Sequence, residues 1–367
     1  MSNVHSETPR RIVEPDGHVH TGCYLLPFEE QNLASAPFQH PLAGLRDGPF
    51  GWLDSGVRRL RLKRWHYTSV VHPRFLFACA VVHVGYVGNA FAYVYDRERE
   101  RCHAYSTLAP LGRGIVIADD SRRGTTSIRQ KGFGSIELTN EVPGKRGIRV
   151  ALAGRLGRNP TPPLKVELEL ADQGSSPDPI YVVEESEPSC WLFTHKVYGL
   201  DTRGTLRCGA LDLDVEGALA GLDYNVGYRP RETCWNWAAA AGHSVAGDKV
   251  GFNLTAHRRW DAPFDGTPDA GDCALWLGDR CYPLAWVAFD YDHEDILAPW
   301  HIRDGDGLVD LHFEPAGERR EDIDFGVVVS RFHQPYGRFS GTLRSPGGER
   351  YELGDVFGVT EQHHARW

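Results

Sequence analysis

The chain has 367 residues, of which 41% are hydrophobic and 24% charged, so it can bury a core without disulfides or a structural metal. Its formal net charge of −9 argues against nucleic acid as a partner, because phosphate binding needs a basic surface. No apolar run reaches the roughly 18 residues of a membrane-spanning helix, so no integral membrane segment is predicted, whereas peripheral membrane contact stays open.

Strand patterns dominate the chain, and the main helix candidate is "EEQNLASAP" (29–37). Apolar residues alternate at period two in "FLFACAVVHVGYVGNAFAYVYDRERE", which predicts a hairpin that turns between Gly85 and Asn89. Further turns are predicted at Gly278-Asp279, at "DGDG" (304–307), at "QPYG" (334–337) and at "SPGG" (345–348). The sequence therefore predicts an all-β fold of antiparallel strands, arranged as sandwiches or barrels.

The two halves of the chain carry a similar arrangement of aromatic residues. Trp65 and Tyr67 precede an apolar strand in the first half, and Trp235 and Trp237 precede one in the second. This likeness indicates either a duplication, with two β units side by side, or coincidence, since the spacings differ. An acidic segment with a proline, "YVVEESEPSC" (181–190), favours a boundary nearby. The predicted division is an N-terminal extension (1–40), a first barrel-like domain (41–195) and a second barrel-like domain (196–367).

The aromatic pairs are candidates for a ligand-binding wall. On a strand, Trp235 and Trp237 point to one face and Asn236 to the other. Two indoles on one face form a broad apolar surface, and the small alanines that follow leave volume for a ligand. The alternative is that both indoles pack in a core. The predicted substrate-binding residues are Trp65, Tyr67, Tyr224, Trp235, Asn236, Trp237, Asn253, Trp286 and Trp300.

Two carboxylic acids are candidates for proton transfer. Asp223 follows an apolar stretch in "GLDYNVGY", and a carboxyl group buried beside aromatic rings has a raised pKa and can protonate an alkene or a carbonyl. The alternative for Asp223 is a capping role in a turn. Glu361 is the second candidate acid, and its alternative is a buried salt bridge with Arg366 or Arg231.

His257 is a candidate general base, since its unperturbed pKa is near neutrality. It shares strand parity with Asn253 and Thr255, so a regular strand places all three polar side chains on one face. That face is either the floor of a polar pocket or a solvent-exposed side of the sheet.

Several segments resemble a known family. "WNWAAAAG", "VGFNLT", "APWHIRDGDGLVDLHFEP" and "GVTEQHHARW" resemble the bacterial and fungal family called domain of unknown function 2804, and the likeness extends from Gly17 to Trp367. The aromatic-rich strand near mid-chain and Glu361 are more distantly similar to the two-domain lipocalin-like superfamily. That superfamily includes carotenoid 1,2-hydratases (hydroxyneurosporene synthases) and some fungal cyclases that catalyse Diels–Alder reactions. The resemblance implies two lipocalin-like β units and a hydrophobic substrate bound within or between them.

These observations favour an enzyme without a cofactor. The sequence has no GxSxG, HExxH, P-loop, GxGxxG or paired CxxC motif, so no metal site or nucleotide cofactor is predicted. Eight scattered cysteines and an N-terminus without a signal-peptide pattern favour a cytoplasmic protein. We expect an acid–base enzyme, a hydratase, isomerase or cyclase, that acts on a hydrophobic isoprenoid, polyene or lipid-like molecule. The alternatives are a non-catalytic lipid or pigment carrier and a structural protein with filled barrels, and the oligomeric state stays open.

Overall fold

A computed structural model describes residues 4–142, 144–155, 160–172, 176–258, 272–324, 326 and 328–367. None of the helices in these segments has the length and apolarity that a membrane-spanning helix requires. The helices are a 3-10 turn at Leu33–Ser35, another at Ala43–Leu45, and the α-helix α1 at Gly51–Arg61. The strands are, in chain order, β1 (Val4–His5), β2 (Gly22–Tyr24), β3 (Leu62–His72), β4 (Phe75–His83), β5 (Val87–Asp96), β6 (Arg101–Pro110), β7 (Ile115–Val116), β8 (Arg123–Gln130), β9 (Gly134–Glu141), β10 (Gly144–Leu152), β11 (Leu164–Asp172), β12 (Ile180–Glu187), β13 (Cys190–Cys208), β14 (Leu211–Tyr228), β15 (Glu232–His243), β16 (Lys249–Arg258), β17 (Ala274–Leu277), β18 (Arg280–Pro283), β19 (Ala288–Asp290), β20 (Trp300–Arg303), β21 (Val309–Asp324), β22 (Val329–Arg344) and β23 (Arg350–Arg366).

The described strands form two sheets, and the all-β prediction is confirmed. The first sheet has the order β6-β5-β4-β3-β14-β13-β11-β10-β9-β8-β7 and curves into a nearly closed barrel. β12 joins it by pairing with the first half of β13 and with β2, beside which β1 runs parallel. The second sheet has the order β18-β17-β16-β15-β23-β22-β21-β20-β19 and is a half-barrel.

The sheets divide after β14, at residues 229–231. The predicted domain boundary between residues 195 and 196 instead falls inside β13, because "YVVEESEPSC" contains strand β12 and only its last part is exposed. The predicted N-terminal extension also joins the first unit. Its apolar residues Ile12, Phe28 and Leu33 are buried in the core of the first barrel.

Most predicted hairpins are confirmed, including the turns at Gly85 to Asn89, at Gly278-Asp279 and at "SPGG". The predicted turn at "QPYG" is wrong, since these residues continue β22. Pro335 pairs with Glu318 of β21, whereas the pairing with β23 is interrupted at Gln334 and Pro335, as expected beside a residue without an N–H. The helix prediction is also wrong: "EEQNLASAP" contains only a 3-10 turn, and the α-helix is α1.

Strands β4 and β5 bury both of their faces, which explains their nearly continuous apolar sequences. Phe77, Cys79 and Val81 face the interior of the first barrel, and the side chains between them face the second sheet. A second core therefore lies between the two sheets and contains Tyr67 and Trp237. A third core lies on the other face of the second sheet.

Two histidines are buried inside the first barrel. Burial, assisted by Arg146, lowers the pKa of His66 to about 3 and lowers that of His195 well below its ordinary value. Both imidazoles are therefore neutral in the folded state at neutral pH, while the unfolded chain binds protons on them below about pH 6.5. Stability must therefore fall as pH decreases from 6.5 towards 3, because the unfolded state gains protons that the folded state cannot bind.

We expect His66 alone to lower the free energy of unfolding by about 2 kcal/mol between pH 6.5 and pH 5. His66→Gln should remove that part of the acid sensitivity, which urea unfolding at the two pH values measures. His243→Gln, at an exposed position, is the matched control. An unchanged pH dependence in His66→Gln would contradict the assignment of a neutral buried imidazole.

Candidate active site between the sheets

The two aromatic pairs, one from each half of the chain, contact each other between the sheets. Trp65 stacks on Trp235, with ring centroids 6.2 Å apart and planes 12° apart. Tyr67 contacts Trp237 edge-on at 5.2 Å. These four residues, the aromatic wall, project from β3 and β15 because alternate residues of a strand share a face. They join the first sheet to the second.

A cavity of about 320 Å³ lies beside the aromatic wall, a volume in the range of small-molecule sites. Most of its lining is apolar or aromatic. That part of the lining consists of Trp65, Tyr67, Ala80, Val82, Val84, Tyr86, Val87, Phe91, Leu108, Trp235, Trp237, Ile323, Val328, Val329, Phe332 and Trp367. The cavity thus offers a hydrophobic ligand a largely preformed surface between the sheets.

Charged side chains line the same cavity on β13, on β14 and just before β17. Lys196 Nζ lies 2.9 Å from Asp223 Oδ2 and 2.8 Å from Asp272 Oδ2. All three side chains are less than 10% exposed. Asn225 donates a hydrogen bond to Asp223 Oδ1, and Asn253 Oδ1 accepts one from Lys196 at 3.3 Å. Lys196, Asp223 and Asp272 are called the polar cluster below.

The two carboxyl groups of the polar cluster differ in pKa. Burial raises the pKa of Asp223, and the nearby Asp272 charge adds to this effect against the attraction of Lys196. Burial also acts on Asp272, but attraction and hydrogen bonding by Lys196 outweigh it and hold the Asp272 pKa below its usual value. The pKa of Lys196 is raised, because its two carboxylate neighbours outweigh its burial.

Glu361 lies on β23 and links the aromatic wall to the rest of the cavity. Its Oε1 accepts a hydrogen bond from Trp235 Nε1 at 2.8 Å, and its Oε2 accepts one from Gln334 Nε2 at 3.0 Å. Tyr93 donates in turn to Gln334 Oε1 across the sheets. The alternative for Glu361, a salt bridge with Arg366, is not seen, because Arg366 contacts Glu232.

Arg229 follows β14 directly, and its side chain lies against the aromatic wall. Its guanidinium carbon is 4.4 Å from the centroid of Trp65 and 5.5 Å from that of Trp235. The residue is 6% exposed and lines the cavity. Burial lowers its pKa to about 10, so the guanidinium stays charged at neutral pH.

The structure brings many of the predicted residues together at this cavity. The predicted residues that line it are Trp65, Tyr67, Asp223, Trp235, Trp237, His257 and Glu361. Asp223 lies within β14, so the alternative of a turn aspartate is wrong. Thr255 and His257 share the cavity side of β16 as their parity predicts. Asn253 lies earlier on β16 and does not line the cavity, but its Oδ1 accepts a hydrogen bond from the Trp237 indole N–H at 2.7 Å.

Five predicted substrate-binding residues lie outside the cavity lining, and Asn253 is one of them. Tyr224 alternates with Asp223 and Asn225, so it faces the barrel interior and donates to the Ala118 carbonyl at 2.7 Å. Asn236 points away from the two tryptophans and donates to the Tyr291 hydroxyl.

Trp286 and Trp300 belong to other surroundings. Trp300 is buried in the core on the far face of the second sheet and stacks on Tyr291 at 3.7 Å. Trp286 lies in the segment before β19 and packs against Gly305. Of the predicted aromatic residues, only those on β3 and β15, two strands that face each other across the sheets, line the cavity.

Several cavity residues were missed by the sequence reasoning. Lys196 had a signal, since a lysine inside the apolar strand "WLFTHKVYGL" is costly to bury without a partner. Asp272 and Arg229 flank apolar strands and had weaker signals. Arg319 and Glu321, whose charged groups lie 2.5 Å apart, belong to a run of charged residues that is typical of an exposed strand.

One group in the described segments brings three potential metal ligands together, namely His301, Asp310 and His312. Their ligand atoms lie within 4.8 Å of one another, and the two imidazoles stack across β20 and β21. Motif spacing could not find this group, because cross-strand neighbours are set by register. The group includes exposed residues and lies apart from the cavity lining.

The sequence also matches a family model over nearly its whole length. The model described as Domain of unknown function (DUF2804) matches residues 5–367. The chain belongs to the DUF2804 family. The family resemblance predicted from "WNWAAAAG", "VGFNLT" and the C-terminal segment is therefore confirmed, whereas no curated protein matches the chain.

Two solved structures are similar to this DUF2804 protein. A candidate AttH from Nitrosomonas europaea has a TM-score of 0.45 at 13% identity, covering 83% of this chain and 92% of that chain. Kievitone hydratase from Nectria haematococca has a TM-score of 0.47 at 11% identity, covering 82% of this chain and 88% of that chain.

Replacement of Glu361 tests the hydrogen bonds of this DUF2804 cavity. Glu361→Leu removes the acceptor of the Trp235 indole and of the Gln334 amide, so we expect the free energy of unfolding to fall by about 2 kcal/mol or more. Glu361→Gln keeps an acceptor for Trp235 and should cost clearly less. Urea unfolding measures both variants, and equal losses would show that side-chain volume rather than hydrogen bonding matters at this position.

Proposed function

We propose that this DUF2804 protein is a cofactor-independent acid–base enzyme that hydrates, isomerises or cyclises a hydrophobic isoprenoid, polyene or lipid-like molecule. The observation that carries the proposal is the position of Asp223. This buried carboxyl group lines an apolar cavity and shares one lysine with a second carboxyl group. Such an arrangement favours a carboxyl group that keeps its proton to a higher pH than an exposed aspartate does.

The net charge of the polar cluster favours one proton shared between its two carboxyl groups. Lys196 carries one positive charge, whereas Asp223 and Asp272 together carry two negative charges when both are ionised. A proton on one of the two relieves this excess, so the pair titrates as a unit. Because the pKa of Asp223 is raised and that of Asp272 is lowered, Asp223 takes the proton and Asp272 stays ionised beside Lys196.

The aromatic wall supports the proposed chemistry. Protonation of an alkene leaves positive charge on carbon, and aromatic rings such as those of the cavity lining attract positive charge. Apolar walls also limit water at the reacting atoms. In this proposal Asp223 donates the proton, and His257 or Glu361 removes a proton from the substrate or from an attacking water.

The carrier hypothesis is favoured by the apolar lining alone, which would also hold a lipid or pigment without changing it. A deuterium experiment separates the two functions. The purified protein is incubated in D₂O with its co-extracted lipids and with a panel of isoprenoids and polyenes, and the products are analysed by mass spectrometry. An enzyme of the proposed kind incorporates deuterium at carbon. Binding without incorporation would support the carrier, and the absence of both would exclude both functions.

The proposed enzyme works in the cytoplasm. None of the eight cysteines, all of which lie in described segments, forms a disulfide, as is usual in a reducing compartment. Peripheral membrane contact also belongs to the proposal, since Phe50 and Trp52 at the start of α1 are 56% and 68% exposed. Nucleic acid remains an unexpected partner at a net charge of −9.

A further inference from the structure

We infer that Arg229 binds a carboxylate group at one end of the hydrophobic ligand. The inference deepens the proposed function, since it rests on the same cavity and names the class of molecule as a hydrophobic carboxylic acid. It is carried by the surroundings of this one guanidinium group.

Arg229 differs from the other buried cations of the cavity in having no anionic partner among the described residues. Lys196 pairs with Asp223 and Asp272, and Arg319 pairs with Glu321. Within the described segments, the Arg229 guanidinium forms no ion pair or hydrogen bond, and its Nε is buried without an acceptor. The carboxylates of Glu184, Asp272 and Asp223 favour the charged form of Arg229, but none of them lies within ion-pair distance of it.

A buried guanidinium without acceptors is costly, because its N–H groups lose their hydrogen bonds to water. The indoles of Trp65 and Trp235 contact it as aromatic rings and accept no ordinary hydrogen bond. Their attraction offsets part of the cost and holds the group in place at the cavity. The N–H donors of the Arg229 guanidinium are therefore available to an acceptor group of a ligand.

A carboxylate is the ligand group that fits this feature. Two oxygen atoms of a carboxylate accept two parallel N–H groups of a guanidinium, and such charge-assisted pairs are among the strongest hydrogen bonds in proteins. The rest of the ligand would then lie on the apolar lining beside Arg229. An uncharged hydrocarbon or an alcohol would fill the cavity but leave the guanidinium without its anion.

Isothermal titration calorimetry tests this inference without any need for turnover. The probes are retinoate against retinol and dodecanoate against dodecanol, two pairs that differ only in the end group. We expect the wild-type protein to bind at least one carboxylate, at least about tenfold more tightly than its alcohol. Arg229→Gln should lose this preference while it still binds the alcohol.

Control variants separate anchoring from general charge effects. Arg64→Gln removes one positive charge from β3, at the position before Trp65. Arg64 pairs with the exposed Asp119, so this variant should keep the carboxylate preference. Arg229→Met replaces Arg229→Gln if thermal melts show that the glutamine variant does not fold. Arg229→Lys keeps the charge without the planar fork and should retain only part of the preference.

Two results would overturn the inference: a wild-type protein that binds no carboxylate more tightly than its alcohol, or a folded Arg229→Gln or Arg229→Met variant that keeps the preference. Failure of the proposed enzyme is a different result. A protein that prefers carboxylates through Arg229 but incorporates no deuterium would be a carrier of hydrophobic acids.

Discussion

Asp223→Asn is expected to reduce deuterium incorporation into the substrate by at least about 100-fold, the loss that follows removal of a general acid. The amide cannot donate a proton to carbon, whereas it has nearly the same shape as the carboxyl group. Lys196 keeps its ion pair with Asp272, at 2.8 Å in the native protein. We therefore expect the free energy of unfolding to change by no more than about 1 kcal/mol, and ligand binding to persist.

The matched control for this variant is Asp201→Asn, which lies on β13 like Lys196 but at a half-exposed pair with Lys249. It should leave incorporation unchanged. An Asp223→Asn variant that retains more than about a tenth of wild-type incorporation would exclude Asp223 as the acid and leave His257 and Glu361 as candidates.

The pH dependence of the wild-type reaction follows from the same assignment. Only protonated Asp223 can act as the acid, so incorporation should decrease as pH rises through the raised pKa of the pair. Asp272→Asn removes the neighbouring negative charge, which lowers the Asp223 pKa and should move this decrease to lower pH. Incorporation measured from pH 4 to pH 9 for both proteins gives the comparison.

Lys196→Met is expected to lower the free energy of unfolding by about 3–5 kcal/mol at pH 7, the largest stability effect that the cavity predicts. The substitution preserves side-chain length but leaves Asp223 and Asp272 buried without their shared cation. Uncompensated buried charge costs far more than the loss of an exposed ion pair. Urea unfolding measures the effect.

Acid should reduce the loss in Lys196→Met. Without the lysine, both carboxyl groups have folded-state pKa values above their unfolded values, so the folded variant binds more protons than the unfolded chain as pH falls. Its stability relative to wild type must then rise from pH 7 towards pH 5. The double variant Lys196→Met/Asp272→Asn, which removes the carboxyl group that stays ionised, should recover part of the loss at pH 7.

Lys165→Met is the control for this effect. Its partner Glu167 lies 3.0 Å away, but both side chains are more than half exposed, so we expect a change of less than about 1 kcal/mol. Similar losses in Lys165→Met and Lys196→Met would show that the polar cluster has no special role in stability.

The alternation of residues in the sequence was enough to predict the fold class and several cavity residues. "FLFACAVV" predicts a strand, and β4 is that strand, although it packs against a core on each of its two faces. Trp235 and Trp237 share a face by parity alone, as do Thr255 and His257. These inferences are local, because the side-chain direction in a strand repeats every second residue whatever the strand packs against.

Contacts between the sheets could not be derived in this way. Lys196, Asp223 and Asp272 come from different strands or strand ends, and only the pairing of β13 with β14 and the approach of the second sheet bring them together. The exclusion of Tyr224 and Trp300 from the cavity has the same origin, since each faces a different core.

The sequence by itself thus determined the period-two strands, their turns at glycine and the faces on which neighbouring residues lie. Only the tertiary structure decided which faces meet, where the first sheet ends, and which buried charges have partners. The physical reason is that strand periodicity depends on the nearest residues of the chain. The pairing of Lys196 with two carboxyl groups, and the surroundings of Arg229, where the described residues place no anion in contact, instead depend on segments far apart in sequence.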